Sequence, residues 1–280
     1  MILLHLRNEL WKLFGKKRTY IGFGMFLLAQ AAVLLLLRYA RGPRREMAHR
    51  LELLGYSPDQ FMSAVTMATS TLIPVAFLLL PLYAALIGGD LLAKESEEGT
   101  LRMMLSRPIS RSRIVMVKWL AGVVFSLLLV LVLGISGAVV AGCLFHGGGL
   151  FALIPQESVF TVLGPAEGWR RYALATFILS GKAVTIMGLA LMFSCFNVKP
   201  AAATVMAISL LFLSSIIQEM PYFHDLQHWF ITYHINYWFR VFMDPPPWAD
   251  IWSSISILFG FNATILIIGC VGFQIRDIKS

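Results

Sequence analysis

Residues 95–118 read ESEEGTLRMMLSRPISRSRIVMVK, a charge-dense stretch held between two long apolar runs. Upstream lies 65–89 and downstream 114–144, each long enough at 1.5 Å rise per residue to cross the ~30 Å hydrocarbon core of a bilayer. A polar island between two such runs must sit in water or against a partner. The stretch therefore reads as a docking element joining two membrane helices on one face. Composition agrees: of 280 residues, 58% are hydrophobic and 14% charged, and the mean hydropathy is +0.74. That is more apolar surface than one soluble core buries.

Working outward, six windows qualify as spans: 19–37, 65–89, 114–144, 172–196, 201–217 and 251–273. Their apolar runs are continuous and lack period-2 alternation, so helices are expected rather than the strands of a barrel. The fold class expected is an all-α membrane protein, a single domain over 1–280. The first span is read as retained rather than as a signal peptide, because an amphipathic leader over 1–18 precedes it and no clean small-residue cleavage site follows. Cys143, Cys195 and Cys270 sit in or at the ends of spans and do not form a disulfide scaffold. The formal charge of +8 is spread among loops without a basic, aromatic-interleaved stripe, which argues for lipid headgroups and against nucleic acid.

Six spans return both termini to one side. That side carries Arg7, Lys12, Lys16, Lys17 and Arg18, the basic residues of 94–118, Lys199, Arg276 and Lys279. These outnumber Arg38, Arg41, Arg44, Arg45, Arg50, Arg170, Arg171 and Arg240 opposite, so the termini are expected in the cytoplasm. The five arginines of 38–50 run against the rule, although Glu46, Glu52 and Asp59 lie among them.

Between the spans, Leu3, Leu6, Leu10 and Leu13 recur at helical spacing with Trp11 and Phe14 as anchors, the pattern of a helix in the membrane surface. Such a helix either anchors the chain or passes motion to the first span. In the next loop Met47, Leu51 and Leu54 share a helical face that Gly55 closes, and Ser57 with Pro58 opens a new helix from which the second span is expected to begin. Pro74 and Pro81 should bend that span. Gly147, Gly148, Gly149, Pro155 and Pro165 mark a connection of 25 to 30 residues that cannot be one regular element. Residues 219–250 are too amphiphilic to span and too apolar for a free loop, with Trp229, Phe230, Tyr233, Tyr237, Trp238, Phe239 and Phe242 ahead of Pro245, Pro246 and Pro247. A re-entrant or interfacial segment in the outer leaflet is expected.

The polar island resembles the cytoplasmic coupling segment of type-2 ATP-binding-cassette (ABC) permeases. The matching residues are Glu95, Glu97, Glu98, Gly99, Thr100, Leu101, Leu105, Arg107, Pro108, Ser110, Arg111 and Lys118, and the ending Phe273, Arg276, Asp277, Ile278 is similar to a terminus common in that family. The resemblance implies a six-span permease with a coupling segment over 91–109, working as two copies or two related permeases with a pair of separate ATPase subunits. It also implies an exporter in the cytoplasmic (inner) membrane of a bacterium. Coupling physically needs a rigid lever tied to the spans. A helix over 91–105 would offer Glu95 and Glu98 to a basic groove, with Met103, Met104 and Leu105 packed below, Pro108 ending it and Ser110 capping the third span.

No nucleotide site is expected in the chain, because Gly181-Lys182 lacks the earlier glycine of a phosphate loop and lies in an apolar run. ATP and Mg are assigned to the partner, with no catalytic, metal or cofactor site here. Lys182, central in the fourth span, either lines the permease cavity, pairs with an acid across the assembly, or snorkels to an interface. Gln30 and Asn262 are further path candidates, with interhelical hydrogen bonding as the alternative. Three other readings remain open at this point. His224 and His228 echo zinc-protease spacing and would need His234 or Asp244 as a third ligand. A secondary transporter would need an inverted repeat, and none is visible. A membrane component that assists extracytoplasmic assembly without moving a small solute would share the same spans. The substrate is not written in the sequence.

Overall fold

The computed structural model describes residues 2–101, 109–154 and 159–276. Among them, six helices are long and apolar enough to cross a membrane. The order is α1 (Ile2–Phe14), α2 (Lys17–Tyr39), α3 (Arg41–Leu53), α4 (Pro58–Phe61), α5 (Ala64–Pro74), a π-helical turn (Val75–Leu79), α6 (Leu80–Glu97) and α7 (Arg111–Leu144). A β-hairpin of β1 (Leu150–Ile154) and β2 (Val159–Leu163) follows, then α8 (Pro165–Cys195) and α9 (Pro200–Gln218). Two 3₁₀ helices (Pro221–Trp229 and Tyr237–Phe242) flank α10 (Ile231–Ile235), and α11 (Trp248–Ile275) closes the chain. The spans are α2, α5 with α6, α7, α8, α9 and α11. In α8, 67% of the apolar window is buried, against 17% in α9 and α11. Thus α8 is the centre of the bundle, and α9 and α11 turn most of their apolar surface outward.

The second span is longer than its apolar run. It occupies Ala64–Glu97, because the π turn lies between Pro74 and Pro81 and accommodates both. There the Leu80 N–H reaches back five residues to the Val75 carbonyl, which absorbs the donors the prolines lack without breaking the helix. The bend expected from the prolines is thus a π turn. The expected start was misplaced: Pro58 opens only the four-residue α4 and Ser57 makes no side-chain cap bond. Ser63 caps α5 instead, accepting from Thr66 N.

Gly55 behaves as its position requires. It has φ +80°, with Gly55 N donating to Glu52 O and Tyr56 N to Leu51 O, the paired bonds that close a helix through a left-handed residue. The 145–164 connection contains the hairpin, which continuous apolar runs had concealed. Its strands pair antiparallel with Leu150 opposite Leu163. Ser63 Oγ donates to Gly149 O at 2.7 Å and Phe151 N to Thr66 Oγ1 at 2.9 Å, which seats it on the first turn of α5. Pro165 is not part of this connection but sits at N1 of α8. Ser110 stands at the N-cap of α7 without a side-chain bond.

A candidate coupling site at the polar end

At the end of the bundle opposite the hairpin, α1, the last turns of α6, the first turns of α7 and the tip of α11 converge. The helix expected over 91–105 is not continuous: its residues 91–97 are the last turns of α6, and 102–105 lie outside the described residues. α6 runs unbroken from Leu80 to Glu97, and the helix is interrupted by a turn at Glu98 and Gly99, with φ +75° at Gly99. Leu101, 1% exposed, anchors the turn from below. Leu105, Arg107 and Pro108, with Met103 and Met104, lie outside the described residues.

Lys118, about two turns into α7, is 1% exposed. Its Nζ lies 2.9 Å from Glu9 Oε2 and 2.7 Å from Glu95 Oε2. Lys12 Nζ pairs with the other oxygens, 2.8 Å from Glu9 Oε1 and 3.2 Å from Glu95 Oε1. The four side chains form a closed ring of alternating charge that joins α1, α6 and α7. A charge this deep is tolerated only when paired and hydrogen-bonded. α1 reaches the ring because Leu6, Leu10, Leu13 and Phe14 pack on the core, with the Phe14 ring 5.6 Å from that of Phe125. Leu3 and Trp11 are exposed. Glu9, which the sequence reading passed over, is the keystone; its one visible signal was a lone acid in a basic leader.

Burial pushes the Glu9 carboxyl up, but Lys118 and Lys12 outweigh it and hold it below its ordinary 4.5. Burial lowers Lys12, and its bonds to Glu9 and Glu95 more than reverse this, leaving it above 10.5. A depressed acid contributes stability above its unfolded value and loses it as pH falls through the folded one; a raised lysine contributes below its unfolded value and loses it as pH rises through the folded one. The ring is therefore fully formed between these ordinary values. On acidification below about pH 4.5, α1 is expected to become cleavable by an acid-active protease before the spans do, and limited proteolysis in detergent checks this.

The ring is one of several ties on a short stretch of α6. Asp90 Oδ2 meets Arg18 Nη1 of α2 at 3.1 Å. Ala93 N donates to Ser194 Oγ of α8 at 2.7 Å. A Cβ on Gly89 would fall 2.5 Å from Thr204 Oγ1 and 2.9 Å from Pro200 O, both of α9. Ser96 Oγ accepts from Arg276 Nη2, which also donates to Asn197 Oδ1 at 2.8 Å. Arg276 is itself held: Arg111 Nη1 donates to the carbonyls of Gln274 at 3.0 Å and Arg276 at 2.8 Å, where it meets the negative end of the α11 dipole. Within residues 89–96, then, α6 touches α1, α2, α7, α8 and α9, and also Arg276, just past the end of α11.

Outside the ring, Glu97, Glu98 and Gly99 are exposed. Among the described residues Glu98 pairs with Lys94 alone, 3.9 Å away, and Thr100 Oγ1 donates to Glu95 O. A cleft of about 730 Å³ opens here between α1 and α7, with His5, Asn8, Glu98, Thr100 and Arg113 along it. Glu95 and Glu98 both line the cleft, but Glu95 is also committed to the ring while Glu98 is exposed.

The path candidates also separate. Gln30, 1% exposed, donates to Leu133 O at 2.8 Å and accepts from Ser136 Oγ at 2.7 Å, a bond between α2 and α7. Asn262 donates to Thr185 Oγ1 and Leu258 O, both at 2.8 Å. Lys182 instead borders a cavity and donates to Asn236 Oδ1 at 2.7 Å. The zinc-protease spacing is not realised, because residues 221–229 are 3₁₀ helix, in which i and i+4 diverge by about a third of a turn. His234 has Nδ1 3.0 Å from Ser254 Oγ and Nε2 3.0 Å from His228 O, so both its nitrogens are engaged.

Comparison with known proteins agrees with this geometry. Residues 8–278 match the family described as ABC-2 family transporter protein. A stretch of 68 residues is 37% identical to uncharacterized protein YhcI of Bacillus subtilis (strain 168), covering 24% of this chain and 21% of that relative. With the match running from the leader to the α11 tip, across all six spans, the chain belongs to the ABC-2 transporter family and is a multi-pass membrane protein.

Proposed function

We propose that this chain is the permease subunit of an ABC exporter, and that a separate ATPase docks in the cleft between α1 and α7. The carrying observation is the stretch 89–96 of α6, which is bonded or closely packed to α1, α2, α7, α8 and α9 and to Arg276 at the end of α11. A push on the adjoining Glu97–Gly99 turn, delivered by closure of an ATPase pair, would be passed to the whole bundle without slack. Both termini then lie in the cytoplasm, in the inner membrane of a bacterium. The outward apolar faces of α9 and α11 suit lipid and a second permease copy. The reach of Asn236 to Lys182 supports a re-entrant 219–250 segment, since Lys182 lies 17 residues into α8, about 26 Å along its axis.

Glu98 is the cleaner probe of docking, because Glu95 is committed to the ring. Affinity purification of the tagged chain from native membranes is expected to recover an ATPase with phosphate-loop motifs. Glu98→Lys should reduce that recovery about fivefold or more, through like-charge contact with a basic groove, at unchanged chain level. Gly99→Pro should leave ATP hydrolysis running without transport, because proline cannot adopt φ +75°. Undiminished ATPase recovery with Glu98→Lys would rule out docking at this turn.

A further inference from the structure

A second cavity, of about 260 Å³, lies between α8, α9, the π turn and α10, with Lys182 in its wall. Lys182 is 4% exposed. Its ammonium has two described contacts, the Asn236 amide oxygen at 2.7 Å and the face of Phe77, 4.7 Å from the ring centroid. Neither carries a charge, and none of the ion pairs among the described residues includes it. Lys118 is buried as deeply and has two carboxylates; Lys182 has dipoles only. A desolvated ammonium held this way is short of a counter-ion.

Two further features point to a ligand. Phe77 sits in the π-helical turn, a distortion that recurs at binding sites, and stacks on Phe239 at 5.4 Å. Beyond the ammonium, the cavity wall is Ile208, Leu211 and Phe212 of α9, and Phe212 is 65% exposed, so the apolar side opens laterally. Ser215, Gln218 and Thr232 add hydrogen-bonding groups, and Glu219 stands on the same lining without pairing with Lys182. The volume is below that of pockets that enclose a whole drug-sized ligand and takes a headgroup, leaving an apolar chain to lie along α9.

We infer that this cavity binds the anionic headgroup of a single-chain amphiphile, a phosphate or carboxylate seated on Lys182 with the apolar chain against Ile208, Leu211 and Phe212. The inference rests on the permease reading only for the ligand being cargo. Binding is read without ATP or ATPase, so failure of docking at Glu98 and failure here are separate results.

The test uses the full chain in a neutral detergent, titrated with dodecyl phosphate, dodecyl trimethylammonium and dodecanol and followed by native mass spectrometry. Dodecyl phosphate should bind about tenfold or more tightly than the other two, as a charge-assisted contact requires. Lys182→Met should abolish that preference and Lys182→Arg should keep it. Should Lys182→Met fail to fold, Asn236→Asp decides: it leaves the ammonium in place but gives it a covalently held counter-ion, and should weaken dodecyl phosphate about tenfold. Equal binding of the three amphiphiles to the unmodified chain, or an unchanged preference in folded Lys182→Met or, failing that, in Asn236→Asp, would overturn the assignment.

Discussion

Replacing Lys118 by methionine is expected to cost about 3–5 kcal/mol of stability, because it leaves Glu9 and Glu95 facing each other with a single cation. Methionine fills the volume, so the loss is electrostatic. The two carboxylates are 9% and 13% exposed, and the remaining partner, Lys12, is 48% exposed. One carboxylate must then take up a proton or move to water, and either response detaches α1 or the end of α6. Thermal unfolding in detergent should show a fall of about 10 °C for a chain of this size. Adding Glu9→Gln and Glu95→Gln to Lys118→Met should recover most of it, since neutral groups in place of a whole buried network are often tolerated where a broken one is not. A Lys118→Met chain that melts like the unmodified one would mean that apolar packing alone holds the leader.

Much of this fold was legible because a bilayer demands long apolar runs: five of the six windows fall within the six helices, and the fourth, 172–196, overruns its helix only by Phe196. Gly55 was legible for a local reason, since a left-handed helix end selects glycine. The failures share a different cause. The helix expected over 91–105 was set apart from the 65–89 span, but Lys94 and Glu97 continue α6, whose polar last turns lie against α1 and α7 rather than lipid. The hairpin strands LFALI and VFTVL carry no usable alternation, because β1 is largely buried, from Leu150 at 0% to Phe151 at 4%, and a short apolar run reads equally as the end of a span. The histidine spacing misled because the 3₁₀ turn, not the α-turn, sets the angle between residues. Glu9 and Lys118 are 109 positions apart, and no periodicity announces such a bond. The candidate coupling site was therefore visible as a polar island, while the ring that ties it to the spans was not.

If the close seating of α6 on α8 is what makes the 89–96 stretch rigid, Gly88→Leu should be the most damaging single change in the membrane interior. A Cβ at Gly88 would stand 2.2 Å from Met187 O and 2.9 Å from Ala190 Cβ. A backbone carbonyl cannot swing aside as a side chain does, so the helices must part. Small residues are what permit such approach where lipid supplies no hydrophobic drive, and the Ala93 bond to Ser194 lies farther along the same contact. Overpacking against backbone in a settled core costs on the order of 4 kcal/mol or more, so Gly88→Leu should lower chain levels and leave no cooperative melting transition. Gly122→Ala meets the flexible end of Met187, with Sδ 2.5 Å away, and should be mild. Gly260→Leu meets nothing within 4 Å and should be neutral. Were Gly88→Leu to melt like Gly260→Leu, α6 could not be gripped by α8. A displacement at the polar end would then be taken up between those helices instead of reaching the bundle.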